Sequence, residues 1–357
     1  MSIPPTSCSA RTHSASSRIA GSGSLINPIL PKNDEVDPEE DRPHSFESPI
    51  PQASVSPGVS VLILAYNNLS DTIECLVSVS EIQYANLDVL VVDNGSTDGS
   101  ADAIRDHFPN VRVLRSESNL GVPGGFNLGI RNALASGSEF VFLLNNDTVV
   151  APDIVSILVA RAIENPNLAI VMPKILYYDQ RDLVWSVGAR YRRVPPAIVF
   201  IGLGKPDRDF QRVQRIQYAP SCGLLVRRGA FERVGLFDDG YRFYYDDWDF
   251  SIRVREAGFA IELVPAARMW HKVSRTIRKR RDEFWKTWGA SAARFYRRHG
   301  HPAAMSLPVH IGYIVGRELI QGNGRSLPFF FVGLIHGLSA PLEPFPQIQE
   351  ARTSRGT

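Results

Sequence analysis

Three aspartates crowd one turn of this chain. Asp246, Asp247 and Asp249 stand in the run YYDDWDFSIRVREAG, Tyr244 to Gly258, and His271 follows Asp247 by 24 residues. Carboxylates in a first helical turn are favoured by the macrodipole, so a helix cap would account for one or two of them. Three repel one another, and the third needs a further reason. A carboxylate so placed can take the proton of a hydroxyl nucleophile, and an imidazole can ligate a divalent ion. A histidine beside Trp270 is by itself more often a core residue than a ligand, so the rest of the chain decides its reading.

The helix carrying the aspartates is expected to end at Gly258, a plausible glycine stop. The apolar run Ala260 to Val264 reads as a strand leading to His271. Upstream, Val59–Tyr66, Leu87–Val92, Val111–Leu114 and Phe140–Leu144 are short apolar runs of the kind found in buried parallel strands. Helical patterns lie between them, at Ser70–Ser80, Gly99–His107 and Gly124–Ser136. Alternation of this kind predicts an α/β domain, an open, mostly parallel sheet with helices on both faces. A helix and strand are expected over 152–170, a strand over Ser221–Val226 and a helix over Arg228–Val234.

Ligands of such sheets bind beyond the carboxyl ends of the strands, and those ends are polar here. They read Ala65-Tyr66-Asn67-Asn68, Asp93-Asn94-Gly95-Ser96-Thr97-Asp98-Gly99 and Asn145-Asn146-Asp147-Thr148. Each alone is ordinary turn chemistry; three on one rim point to a ligand. The glycine-rich segment Asn119 to Gly129 lacks the GxGxxG spacing of a dinucleotide fold and follows the third strand, not the first. Glycines there let the backbone come close to a ligand or a neighbouring element.

Together these segments resemble the inverting nucleotide-sugar glycosyltransferases of family 2 type and GT-A fold, which include rhamnosyl- and galactofuranosyltransferases. The motifs carrying the resemblance are AYNN, VVDNGSTDGS, NLGVPGGFNLG, LLNNDT, and YYDDWDFSIRVREAG followed by WH, over about Val59 to Ser274. The resemblance implies that Ala65, Tyr66, Asn67 and Asp93 contact the base and ribose of a nucleoside diphosphate sugar. Asn94, Ser96, Asn145 and Asn146 join this donor set, and Asn119, Gly121 and Asn127 line the same pocket. It also implies a divalent metal ion, Mn²⁺ or Mg²⁺, held by Asp147 and His271, with Asn145 in the place of a first carboxylate; the imidazole favours Mn²⁺. Asp247 matches the family's catalytic base, with Asp246 and Asp249 as supporting or acceptor-contacting groups. With the ordinary aspartate pKa of about 3.9, such a base takes its proton late in the reaction. Direct displacement inverts the anomeric centre, with dTDP-rhamnose or a UDP-sugar as favoured donor and a glycan or lipid-linked glycan as acceptor.

Composition sets the frame. The 357 residues are 44% hydrophobic with a net charge of +2, enough for one large α/β domain with appendages and too little charge for a nucleic-acid partner. Cys8, Cys75 and Cys222 form no CxxC pair, which points away from a disulfide framework and toward a reducing compartment. Residues 1–57, rich in Ser and Pro, are expected to be a disordered tail without a secretory apolar segment. A nucleotide-binding half is expected over 58–150, an acceptor half over 151–275 and a helical extension over 276–340, with a tail over 341–357. The loop 177–217 is expected to help choose the acceptor.

The extension opens on Arg275, Arg278, Lys279, Arg280 and Arg281. Its next helix mixes Phe284, Trp285, Trp288, Phe295 and Tyr296 with Lys286, Arg294, Arg297 and Arg298. Such a helix suits an anionic membrane surface, and packing on the catalytic domain or a homo-oligomeric contact is the other use expected for it. The apolar runs Ile311–Val315 and Leu327–Leu338 are too short to span a bilayer. Localisation is then cytoplasmic, at the cytosolic face of a membrane. A nucleotidyltransferase would carry a basic glycine-rich loop after the first strand, and a glycosidase would not need the diphosphate-binding rim. A catalytically inactive nucleotide-sugar or glycan-binding protein of the same fold stays open because of Asn145.

Overall fold

The computed structural model describes residues 56–193, 196–273, 281–300, 303–322 and 324–348. Nearly all of the expected disordered tail lies outside these residues, as do the basic positions 275–280 and the end of the chain from 349.

The first half follows the alternation in the sequence: β1 (Val59–Ala65), α1 (Leu69–Ser80), β2 (Leu87–Asp93), α2 (Ser100–His107), β3 (Arg112–Arg115), α3 (Gly121–Ala135) and β4 (Phe140–Asn145). β1 lies parallel between β2 and β4, and β2 pairs parallel with β3. Every residue of β1 is buried, whichever face it points to, so the sheet is covered on both sides. On one side α3 sits close because it carries glycines. A Cβ at Gly125 would lie 2.5 Å from Leu64, and one at Gly129 would lie 2.3 Å from Leu62. Those glycines therefore serve helix-to-sheet packing.

The second half adds β5 (Thr148–Val150), α4 (Ile154–Glu164), β6 (Leu168–Tyr177), β7 (Val184–Ser186), β8 (Ala189–Arg193), β9 (Pro196–Phe200), β10 (Gln214–Arg215), β11 (Gly223–Arg227), α5 (Arg228–Val234), α6 (Asp246–Glu256) and β12 (Ala260–His271). The sheet order is β10-β12-β6-β11-β4-β1-β2-β3, with β5 on β12 and β7 on β6. β11 runs antiparallel between β4 and β6, and β12 returns parallel to β6. All strands of this order except β10 and β11 thus run one way, the mostly parallel sheet expected from the sequence.

Two local features differ from the sequence reading. The segment 177–217 is not one loop, since it carries β7, the hairpin β8–β9 and β10. β12 does not stop at Val264: its register shifts between Val264 and Arg268, around Pro265, and it then pairs on to His271. A proline without an N–H interrupts the ladder, and the bulge absorbs it.

Helices α7 (Arg281–His299), α8 (Ala303–Ile320) and α9 (Leu327–Ser339) form the extension. The expected interfacial helix is α7, and most of its aromatic face is packed within the protein: Phe284, Trp285, Phe295 and Tyr296 are buried and Trp288 is half-buried. They pack against the α6 region and α9, in two aromatic clusters. A Cβ at Gly289 would lie 2.0 Å from the Phe330 carbonyl oxygen, and one at Gly333 would lie 1.8 Å from that of Lys286. α7 and α9 therefore touch backbone to backbone. Arg294 and Arg298 pair with buried Asp238 at 2.8 Å, which accounts for charges expected to face lipid headgroups. Among the described residues no helix is long and apolar enough to cross a membrane. The expected tail is docked as far as it is described: the Leu236 amide donates to the Pro346 carbonyl, and Phe345 lies under the guanidinium groups of Arg253 and Arg298.

Candidate active site

The carboxyl ends of β1, β2 and β4, the start of α3, the start of α6 and the end of β12 meet at one rim. At the end of β1, Asn67 and Asn68 both adopt positive φ, 54° and 62°. That turn lets the Asn67 amide donate to Ser96 Oγ at 2.7 Å while Asn67 Oδ1 accepts from the Thr97 amide at 2.9 Å. Asp93 is fully buried at the end of β2, where its Oδ1 accepts from the Ser96 amide and its Oδ2 faces Arg115 at 3.4 Å.

Asn94 and Asn119 shape the entry to α3. The Asn94 amide group donates to the Gly121 carbonyl and its oxygen accepts from the Leu120 amide, both at 2.9 Å; Asn119 Oδ1 accepts from the Gly121 amide. Gly121 has φ +77°, and a Cβ there would meet the Arg242 carbonyl at 2.7 Å. Only glycine fits this crossing of α3 and the loop before α6. Asn127 stands apart from the pocket expected for it. It is buried and engaged on both sides by the Phe237 backbone, at 2.8 and 3.0 Å, as a brace between α3 and that loop.

In the turn after β4, Asn146 donates to Thr72 Oγ1 at 2.8 Å, and its backbone amide donates to the Leu64 carbonyl. β5 pairs Thr148 with His271, which sets His271 Nε2 3.1 Å from Asp147 Oδ1. Among the described residues no group of three or more His, Cys, Asp or Glu side chains could hold a metal ion. One half-buried carboxylate and one buried imidazole at the rim fit a divalent ion that takes its remaining ligands from outside the protein.

The three aspartates have three different environments. Asp249 is fully buried and pairs with Arg253 at 2.8 Å and with His299 Nε2 at 2.7 Å. Burial opposes its ionisation, but these hydrogen bonds and charges outweigh it and hold the carboxyl below the usual range. Asp246 is buried with Oδ2 lacking a hydrogen-bond partner, and burial, then the neighbouring Asp247, push it well above that range. Asp247 is half-buried. Its oxygens accept from the Trp248 amide at 2.9 Å and the Ser221 amide at 3.4 Å, and burial raises it to about 6. Ser221 is followed by Cys222, whose carbonyl accepts from the Asn145 amide at 3.4 Å. Two consecutive residues before β11 therefore tie Asp247 to the turn bearing Asp147. The charges of both aspartates act on the Cys222 thiol, which burial already pushes up.

Several contributors were not read from the sequence. Lys272 pairs with Asp71 and with Glu74 of α1, and the Tyr178 hydroxyl donates to Glu74. This network clamps the end of β12 and so fixes His271. Its signal was slight, a lysine next to the histidine. Trp185 meets the His271 ring edge-on at 4.6 Å. Tyr244 and Tyr245 precede α6 with φ of 62° and 68°, and Val273 has φ 50°. Among the described residues all five non-glycine positive-φ positions flank this rim. Backbone strain concentrated in this way is a mark of functional sites. Among the described residues, four of the nine buried polar side-chain atoms without hydrogen-bond partners belong to this region: Asp93 Oδ2, Tyr244 Oη, Asp246 Oδ2 and His271 Nδ1. Such groups cost stability unless a ligand or water satisfies them.

Comparison with known proteins bears on the family and the fold. The model of the family described as Glycosyl transferase family 2 matches residues 60–235. The N-acetylglucosaminyl-diphospho-decaprenol L-rhamnosyltransferase of Mycobacterium tuberculosis is 32% identical over 220 residues, covering 55% of this chain and 70% of that protein. The poly-beta-1,6-N-acetyl-D-glucosamine synthase of Staphylococcus epidermidis is 25% identical over 222 residues, 62% of this chain and 51% of that protein. Among solved structures, GalNAc-T7 with UDP, GalNAc and Mn²⁺ aligns with a TM-score of 0.51 at 15% identity, over 79% of this chain and 57% of that one. This last likeness is one of fold.

Proposed function

Because the chain belongs to glycosyl transferase family 2, we propose that it transfers one sugar from a nucleoside diphosphate sugar to a hydroxyl of a lipid-linked glycan, inverting the anomeric centre. One observation carries the reading: the half-buried carboxylate of Asp247 is tied through Ser221 and Cys222 to the turn whose Asp147 faces His271. A base and a diphosphate site joined so closely suit a displacement at the carbon between them.

In this reaction the acceptor oxygen attacks the anomeric carbon, and the bond from that carbon to the diphosphate oxygen breaks with its electron pair leaving on the diphosphate. The hydroxyl proton passes to Asp247. A carboxyl with a pKa near 6 is mostly ionised at neutral pH and is a better base than an ordinary aspartate; the expected value of about 3.9 is revised by burial. Burial and the neighbouring Asp247 favour the protonated form of Asp246, and Asp249 is held in its ion pairs, so neither suits that role as Asp247 does. Asp147 and His271 would hold a divalent ion, Mn²⁺ or Mg²⁺, which supplies counter-charge for the departing diphosphate. Ala65, Tyr66, Asn67, Asp93, Asn94, Ser96, Asn119, Gly121, Asn145 and Asn146 bind or shape the site for the nucleoside diphosphate. Asn127 supports that wall from behind.

The rhamnosyltransferase among the relatives is named for a polyprenyl diphosphate-linked sugar acceptor. By analogy the donor here is dTDP-rhamnose or a UDP-sugar, the acceptor is lipid-linked, and the work is done at the cytosolic face of a membrane. The test is release of nucleoside diphosphate from a panel of dTDP-rhamnose, UDP-sugars and GDP-mannose, with Mn²⁺ and an octyl glycoside acceptor. Consumption of one donor class with an inverted product is expected. Nucleotide binding without release from any donor would leave a binding protein instead.

A further inference from the structure

We propose that Trp185, Phe200 and Trp248 form an aromatic wall that receives the apolar face of the acceptor's pyranose ring and so presents one of its hydroxyls to Asp247. This rests on the reading of the chain as a glycosyltransferase. The three side chains come from three separate elements, β7, β9 and α6, and stand in a row. Trp185 lies 5.9 Å from Phe200 and Phe200 lies 6.3 Å from Trp248, centroid to centroid. One end of the row meets His271 at 4.6 Å, and the other is the residue next to Asp247.

That path is where an acceptor must lie. Its hydroxyl has to reach Asp247 within hydrogen-bond distance, while the anomeric carbon it attacks is tethered to a diphosphate at Asp147 and His271. All three rings are half-buried, whereas the aromatics behind Trp248, Tyr245 and Phe295, are buried. A pyranose offers C–H groups on its face and hydroxyls at its rim. The C–H face suits the electron-rich face of an aromatic ring, and the hydroxyls need a few fixed polar partners. Asp247 is one. β7 and β9 bring Trp185 and Phe200 to the side of α6 that carries Trp248.

Saturation-transfer NMR of octyl glucoside, galactoside and N-acetylglucosaminide, with nucleoside diphosphate and Mn²⁺ present, tests the wall without requiring turnover. Saturation should reach ring C–H protons of at least one glycoside. Phe200→Ala and Trp185→Ala should weaken that glycoside's binding at least tenfold, and Trp185→Phe should recover most of it. In Phe200→Ala, whose ring lies away from the Asp147 and His271 pair, thermal stabilisation by the nucleoside diphosphate should stay within twofold of wild type in concentration dependence. Saturation confined to the octyl chain, no saturation of any glycoside, or Ala variants that bind like wild type would overturn the proposal. If the nucleotide still binds in those cases, the wall alone fails. A wild-type chain that binds no nucleoside diphosphate overturns the glycosyltransferase reading and the wall with it.

Discussion

Asp246, Asp247 and Asp249 are the same residue type within one helical turn, yet burial and partners give them separate chemistry. Asp249 faces Arg253 and His299, Asp246 has a buried oxygen with no partner, and Asp247 accepts two backbone N–H groups at the cleft. On the proposed mechanism, kcat/KM should be level above neutral pH and fall on the acid side with an apparent pKa near 6, because protonating Asp247 removes the base. An acid limb near 4 would show a carboxylate that burial does not perturb. The Asp147 and His271 pair makes a second prediction. Calorimetric titration of Mn²⁺ in the presence of nucleoside diphosphate should show affinity reduced at least tenfold in His271→Ala, and equal affinity would remove the imidazole from the ligand set. The carboxylate cluster, Asp147 and His271 were legible in the sequence because turn polarity and motif order mark them. The role of Asn127 was not, since an asparagine facing a ligand and one bracing Phe237 look alike in a string of residues. Positive φ at Tyr244 and Tyr245 was also hidden, because tertiary contacts impose it against the preference of both side chains.

Among the elements, the alternating strands and helices of the first half were legible to within one to three residues, as hydrophobic period and turn residues agree there. The second half was less so. β7 and the hairpin β8–β9 lie in a stretch rich in arginine and aromatics that lacks clear alternation, and β12 runs through a proline. α7 has a basic, aromatic composition that fits a membrane surface or a protein core equally; long-range packing on α6 and α9 decides for the core. Its contact with α9 depends on glycine. Gly289→Ala should therefore lower stability by about 1–3 kcal/mol through overpacking against Phe330, seen as a reduced urea midpoint, while Ala at Gly258, where nothing lies within 4 Å but φ is +91°, tests backbone strain separately. A midpoint unchanged in Gly289→Ala would mean that α9 can shift without cost.

Among the described residues, the large apolar side chains that remain exposed lie mainly on α8 and α9. Phe331, Val332, Ile335 and Leu338 of α9 are exposed, Ile335 by 66%, on a helix whose only ionisable side chain is His336. If the acceptor is lipid-linked, this face, and not α7, is where the chain would rest on a membrane. Co-sedimentation with vesicles containing anionic lipid should then fall at least fivefold in a Phe331→Glu, Ile335→Glu variant that keeps its thermal midpoint; unchanged sedimentation would place the membrane contact elsewhere. The helical extension thus has two proposed tasks, buttressing the aspartate turn through α7 and meeting the lipid surface through α9. The central claim is the base, and it is tested most directly by nucleoside diphosphate release from the consumed donor, comparing wild type with Asp247→Asn at saturating donor and acceptor. The account predicts a loss of turnover of at least a hundredfold with nucleoside diphosphate affinity within twofold of wild type; near-normal turnover in Asp247→Asn would contradict it.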